Sequence, residues 1–423
     1  MPSMRTRRGS PDLIFGERIT ELKRLADRIV FGEGIRDGVE DRLLWLNIVI
    51  LNCVLILSTA LSQIVAAVLL IILVYRNIHR DQWVMKRTPL DLPIVTLFSA
   101  RMLSILFSTD FAASLVAVYK ELPFYLMYFV FTNVIDIENR GRIGILIRSL
   151  MLGAVVGASV GIVKYFAGID GRASSTTSGY YTLGVVLTTA LAFALATGHL
   201  KDVFRNRLIW IMECLTCAVA IVLTFNRIHW ILLVLLVIVT GVVVNRRLLL
   251  YAAGLCLIAV LFSPNVRTRL ESVSSGSTLT GRNVIWSAAM EKAGTHPVFG
   301  YGPRTFHSVF THYDLLEDKK VGSWHNEALE IYMESGAVGV FAYLWVLVMS
   351  VVIAVKALAN RNLGLFYRSL AGGLLLALSV HVISGLTGVF IADPLASLLF
   401  KECLALVGLL GVMTTRVGVH APG

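Results

Sequence analysis

Long apolar runs separated by short polar connections dominate the chain. A bilayer core about 30 Å thick is crossed by a helix of roughly 17–25 mostly apolar residues. Residues 43–75 are too long for one crossing and read as two short spans parted near Ser58–Ser62. Further runs follow at about 92–108, 111–135, 143–166, 180–198, 208–226, 228–244, 248–263, 337–355, 369–391 and 395–414. The pattern predicts an all-α polytopic membrane protein with about twelve transmembrane helices. It divides the chain into a basic N-terminal segment (1–42), spans 1–9 (43–263), a long polar loop (264–336), spans 10–12 (337–414) and a tail (415–423). In the first segment Ile19, Leu22, Ala26 and Ile29 recur at helical spacing between charges, as in an amphipathic helix on a membrane surface. A partly ordered basic tail would fit the same residues. Residues 1–42 hold no uninterrupted apolar core of the signal-peptide kind.

Composition agrees with the pattern. The 423 residues are 56% apolar and 15% charged, against roughly 45–50% and about 25% in ordinary soluble domains. So much apolar material excludes disorder, and no recurring period of solenoid length is present. The net charge of +11 would suit a nucleic-acid partner if it were clustered on a folded surface. Instead, nine Lys/Arg precede residue 43 and most others sit between apolar runs, which argues against nucleic acid. Such a bias marks cytoplasmic connections. With the N-terminus inside, 1–42, 76–91, 136–142, 199–207, 245–247, 356–368 and the tail are cytoplasmic and basic. The opposite short connections near 109, 167–179 and 392–394 carry Arg172 alone. Both termini are then cytoplasmic and the long loop lies outside. Cys53, Cys214, Cys217, Cys256 and Cys403 all lie in apolar runs. The Cys214/Cys217 pair has no second pair to complete a zinc site, so the cysteines read as small buried hydrophobes.

Long loops are uncommon and are often functional. Residues 264–325 contain SSGSTLTGR, a helix-like stretch from Asn283 to Ala293, HPVFGYGPRTF, EDKK and the start of WHNEALEIYMESGAVG. Ionisable groups in or beside spans add to them, because such groups are costly in a membrane and mark functional sites. Arg101 and Lys164 read as snorkelling to the interface or pairing with helix carbonyls. Lys120 lies deeper, and Arg227 occupies an apolar span end where an anchor or a site would both account for it. Arg172 and Arg304 read equally as loop charges. His296, His307 and His312 read as ordinary loop residues without clean metal-ligand spacing. His325 falls at the start of a helix with Glu327 and Glu330 in its first turns, and Glu330 or Glu334 could be a base or an orienting group.

The outer face thus gathers Arg172, Arg227, Arg282, Arg304, Lys120 and His325. Guanidinium groups bind phosphate oxygens bidentately. Outside the membrane a diphosphate most plausibly belongs to a lipid carrier, and a histidine is a natural proton acceptor near neutral pH. These residues point to glycosyl transfer from a polyprenyl-diphosphate donor. A transporter or flippase of lipid-linked sugars would instead predict related halves and broken midplane helices.

The stretch GRNVIWSAAMEKAGTHPVFGYGPRTF followed by WHNEALEIYMESGAVGV resembles the O-antigen ligase/polymerase superfamily. The resemblance rests on Arg282 and Trp286, on Pro297, Gly300 and Gly302, on His325, Asn326 and Leu329, and on Gly336 and Gly339. LTFNRIHW resembles that family's outer Ser-Arg motif, with Arg227 in the Arg position and Asn226 in place of Ser. LSILFSTDFAASLVAVYKELPFYL resembles its earlier lysine-bearing spans through Lys120, and GRASSTTSGYYTLG its short outer loop through Arg172. The resemblance covers roughly 95–345. It implies a GT-C-like, inverting, metal-independent glycosyltransferase of the bacterial inner membrane, without a cofactor, facing the periplasm. The implied donor is an undecaprenyl-diphosphate-linked glycan, and the implied acceptor is lipid A-core or, for a polymerase, another glycan. His325, Arg282 and Arg227 would be catalytic. Lys120, Arg172, Arg304, Asn326 and Trp286 would bind the diphosphate or glycan among the membrane lipids.

Overall fold

The computed structural model describes residues 38–80, 85–176, 179–243, 246, 254, 281–316, 318–319 and 321–419. These residues form helices and connections, with no strand among them. In chain order the helices are α1 (Val39–Val54), α2 (Thr59–His79), α3 (Asp91–Ile105), α4 (Phe111–Val134), α5 (Arg140–Phe166), α6 (Tyr180–Thr197) and α7 (Arg207–Leu223). Then come α8 (Arg227–Val243), α9 (Arg282–Lys292), α10 (Phe306–Val309), α11 (Glu327–Ala359), α12 (Gly364–Gly385) and α13 (Pro394–Val419). Every expected span within the described residues falls on a helix, but the last six residues of the 369–391 run lie past the end of α12, in a loop. The expected amphipathic helix near 12–30 and all of the span near 248–263 but residue 254 lie outside those residues.

Seven of the described helices, α2, α4, α5, α6, α11, α12 and α13, are long and apolar enough to cross a membrane. This is the architecture of a polytopic all-α membrane protein. With 16, 15, 17 and 17 residues, α1, α3, α7 and α8 are shorter. Local polar chemistry sets many of the ends. Ser58, Asp110, Asn139 and Asn206 accept hydrogen bonds from the first free amides of α2, α4, α5 and α7. The 43–75 run accordingly breaks at 55–58, just ahead of the Ser58 cap.

Burial sorts the helices into core and rim. Inside the protein lie 94% of the spanning window of α13 and 83% of that of α6, against 28% for α2. α6 packs against α5, α7, α8 and α12, and α13 against α4, α11 and α12. α2, α7 and α8 present Ile64, Ile71, Leu208, Met212, Ile231 and Ile238 outward, as lipid-facing helices do.

The connections separate into two ends. One end holds 80, 85–91, 135–140, 197–207 and 359–364, tied together by Lys86 to the Ile135 carbonyl (2.9 Å), Tyr367 to the Glu138 carbonyl (3.0 Å) and Arg416 to Glu138 (3.0 Å). The other holds 106–110, 167–176, 224–226, 281–316, 318–319, 321–326 and 386–393.

Candidate functional site

α11 is the axis of the second end. The sequence predicts a short helix after His325 and a separate span from 337, and α11 divides there, at a non-helical Gly336. Gly336 takes φ 62° and ψ −161°, a conformation that glycine adopts without side-chain strain. The break opens two helical bonds, and both are replaced. The amides of Ala337 and Val338 donate to the carbonyls of Pro297 (2.8 Å) and Val298 (3.2 Å). The carbonyls of Met333 and Glu334 accept from Tyr301 (2.7 Å) and Gly302 (3.0 Å). The contact is backbone on backbone: a Cβ at Gly300 would lie 2.6 Å from the Glu334 carbonyl carbon. The P-x-x-G-x-G and G-x-x-G elements are therefore two halves of one joint, whose loop also receives the Thr109 amide at the Tyr301 carbonyl (3.0 Å).

This joint helps to assemble a cationic cluster. Arg227 is the first residue of α8 and Arg282 the first of α9, and His325 stands two residues ahead of α11. Three helix N-termini thus add their partial positive charge to two guanidinium groups, an arrangement suited to an anion. Arg282 is half-buried and donates to the Thr387 carbonyl (2.8 Å). Burial lowers its pKa, Arg227 does so too, and the phenols of Tyr180 and Tyr181 oppose them. His325 is half-buried, and burial followed by the field of Arg282 pulls its imidazole below the ordinary value while Asp318 pulls the other way. The ring is therefore neutral, and able to accept a proton, at neutral pH. Arg172 lies 4.5 Å over the ring of Tyr180, which links the 167–176 loop to the same cluster.

The backbone is strained at this end. Among the described residues, the non-glycine residues with positive φ are Phe225 (50°), Arg304 (61°) and His325 (50°). Each such conformation costs on the order of 1–3 kcal/mol and persists only where its surroundings hold it.

The remaining predicted residues fall into two groups. Lys120 and Arg304 line a largely apolar groove of about 1050 Å³ between α2, α4 and the start of α13, with Gln63 and Glu121. Both are exposed, and Arg304 also reaches the Ala392 carbonyl (3.4 Å). Trp286 and Asn326 hold the scaffold. The Trp286 indole donates to the Trp324 carbonyl (3.0 Å), and the Asn326 side chain caps α11 by accepting from Leu329 (3.0 Å).

Arg101 corrects an expectation. It neither snorkels nor pairs with helix carbonyls, but is buried in a carboxylate clasp. Its Nε and Nη2 donate to Glu121 (2.7 and 2.8 Å), and Nη2 also donates to Glu334 (2.9 Å). Snorkelling presumes that water is the nearest relief for the charge, and here two glutamates are nearer. Lys164 likewise finds an acid, Asp170 of the adjoining loop, together with Ser174.

Sequence reasoning also passed over loop 386–393. Its Thr387 carbonyl seats Arg282, its Ala392 carbonyl meets Arg304, its Phe390 and Ile391 amides donate to Glu327, and Asp393 accepts from Thr182 (2.7 Å). His229, buried beside Tyr181 with Ser384 3.4 Å from its Nε2, was missed as well, although it sits two residues after Arg227.

Residues 214–344 match the family model of the O-antigen ligase, a stretch that contains Arg227, Arg282, Arg304 and His325. The exopolysaccharide production protein ExoQ of Rhizobium meliloti (strain 1021) is 29% identical over 129 residues, covering 28% of this chain and 30% of that protein. The match therefore spans less than a third of the relative's length. The two similarities are thus to an O-antigen ligase family and to a protein of exopolysaccharide production.

Proposed function

We propose that this protein transfers a glycan from an undecaprenyl-diphosphate-linked donor to a hydroxyl acceptor at the bundle end that carries Arg227, Arg282 and His325. The observation that carries this reading is that Arg282 lies within the electrostatic reach of both Arg227 and His325, three residues of separate segments at or just ahead of helix N-termini. Arg227 and Arg282 bind the diphosphate and stabilise the charge that grows on it as the glycosidic bond breaks. His325 takes the proton from the acceptor hydroxyl as its oxygen attacks the anomeric carbon. Attack from the face opposite the departing diphosphate inverts that centre, and the arginines supply the electrostatic role without a metal. Arg172 completes the cationic rim, and Lys120 and Arg304 face the apolar groove.

The Lys/Arg bias of the opposite end assigns that end to the cytoplasm. The site then opens to the periplasm from the bacterial inner membrane. Lipid A-core is the acceptor of the first reading, O-antigen ligation. The likeness to an exopolysaccharide production protein favours a second, polymerisation onto another carrier-linked glycan.

The test is a transfer assay with purified protein in detergent, given carrier-diphosphate-linked glycan with and without lipid A-core. Glycan on lipid A-core, lost in Arg227→Ala, Arg282→Ala and His325→Ala, supports ligation. Ladders of carrier-linked glycan without added acceptor support polymerisation. Transfer that survives all three substitutions refutes the assignment of these residues.

A further inference from the structure

Glu327, Glu330 and Glu334 fall on one stripe of the first turns of α11, spaced by three and then by four residues. All three are buried, at 2%, 5% and 2% exposure. A carboxylate buried beside a proposed active site invites the role of general base. Their partners argue otherwise, for each accepts a backbone amide from a different segment. Glu330 takes the Trp324 amide (2.7 Å), Glu334 takes the Arg304 amide (2.6 Å), and Glu327 takes those of Phe390 (2.5 Å) and Ile391 (3.2 Å).

The held amides are not scattered. Trp324 immediately precedes His325, and Arg304 is itself a site residue; both His325 and Arg304 are held at positive φ. Phe390 and Ile391 lie between Thr387, which seats Arg282, and Ala392, which meets Arg304. A buried carboxyl oxygen that accepts a backbone amide satisfies a donor that would otherwise lack a partner, which suits it to hold a strained backbone. Glu334 is oriented in turn: its Oε2 is taken by Arg101, which leaves Oε1 for the Arg304 amide.

We infer that Glu327, Glu330 and Glu334 are positioning residues, each fixing one of the three backbone segments that present Arg282, His325 and Arg304. α11 is then a common frame, and the registration of the site is set by carboxylates that never touch substrate. The structural part of this inference stands alone; its kinetic part rests on the proposed glycosyl transfer.

The experiment uses the full chain in detergent with alanine and glutamine variants of each glutamate. It reads backbone hydrogen exchange by segment, and transfer kinetics with the carrier-linked donor. Glu330→Ala speeds exchange about thirtyfold over 322–326 and leaves 302–306 and 388–392 unchanged. Glu334→Ala does the same for 302–306 alone, and Glu327→Ala for 388–392 alone. Glutamine keeps an accepting oxygen in the same position, so each glutamine variant speeds its own segment only about threefold. These isosteric variants carry the test wherever an alanine variant does not fold. In kinetics, Glu330→Ala lowers kcat about a hundredfold with donor KM within about twofold, since it displaces His325. Glu334→Ala raises donor KM about tenfold and keeps most of kcat, since it displaces Arg304. Exchange that rises alike in all three segments, or fails to rise in the paired one, overturns the inference. So does a glutamine variant as inactive as its alanine counterpart, the mark of a proton-transferring carboxylate. A wild-type protein without transfer removes the proposed function and the kinetic arm, and the exchange pattern still decides the positioning role.

Discussion

The two ends of the bundle use arginine in different ways. At the basic end several arginines meet carboxylates, namely Arg76 with Asp41 (2.9 Å), Arg80 with Asp41 (2.8 Å), Arg148 with Glu213 (2.6 Å) and Arg416 with Glu138 (3.0 Å), while Arg368 meets the Leu358 carbonyl (2.9 Å) and Arg140 lies over Tyr367. At the other end the carboxylates of α11 are occupied by backbone amides and by Arg101, while Arg282 and Arg304 donate to carbonyls. A carbonyl orients a guanidinium without cancelling its charge. The paired arginines of the first end are therefore locally neutralised, and Arg282 and Arg304 keep a positive field for an incoming anion. Lys164 follows the paired pattern even at the second end, through Asp170.

The comparison can be broken in several ways. The largest effect is all-or-none: a reporter active only in the periplasm should work when fused after Ser277 and stay silent after Asn206. The reverse pattern would put the basic end outside and refute the orientation. Arg282→Ala should cut transfer about a thousandfold, whereas Arg76→Ala should leave it within about twofold; equal losses would erase the distinction between the ends. Arg101→Ala leaves Glu121 and Glu334 buried without their cation and should cost about 3–5 kcal/mol. Arg416→Ala, from a pair whose side chains are 68% and 65% exposed, should cost less than about 1 kcal/mol. Thermal unfolding in detergent measures both. A subtler sign lies in pH. Because burial and Arg282 lower the His325 pKa, the neutral base persists to lower pH than for an ordinary histidine. The fall of kcat/KM on acidification should then be centred below the ordinary histidine value of about 6.5, and a fall centred above it would exclude His325 as the base. The smallest effect is none: a chelator should leave transfer unchanged, and loss restored by a divalent ion would refute the metal-independent mechanism.

The architecture was legible because a bilayer imposes its own period on a sequence. The expected stretch from Asn283 to Ala293 is α9, one residue displaced at each end, and His325, Arg282 and Arg227 lie close together at one end. Three features were not legible. Arg101 clasps Glu121 and Glu334, 20 and 233 residues away, and nothing in its own neighbourhood announces either. Trp286 and Asn326 belong to the motif, and spacing does not show that they bond the Trp324 carbonyl and the Leu329 amide. Loop 386–393 works through carbonyls and amides, groups that every residue carries and that leave little mark on residue choice.

That loop has a consequence for the order in which the protein is made. Synthesis runs from the N-terminus, so Arg227, Arg282 and His325 all emerge while Thr387, Phe390, Ile391 and Ala392 are still untranslated. A nascent chain arrested before residue 386 would contain every residue proposed to react and none of the loop that seats them. Membrane insertion of the spans up to α12 and completion of the site are thus separate events, and a partly made chain holds no competent site with which to engage a lipid-linked donor.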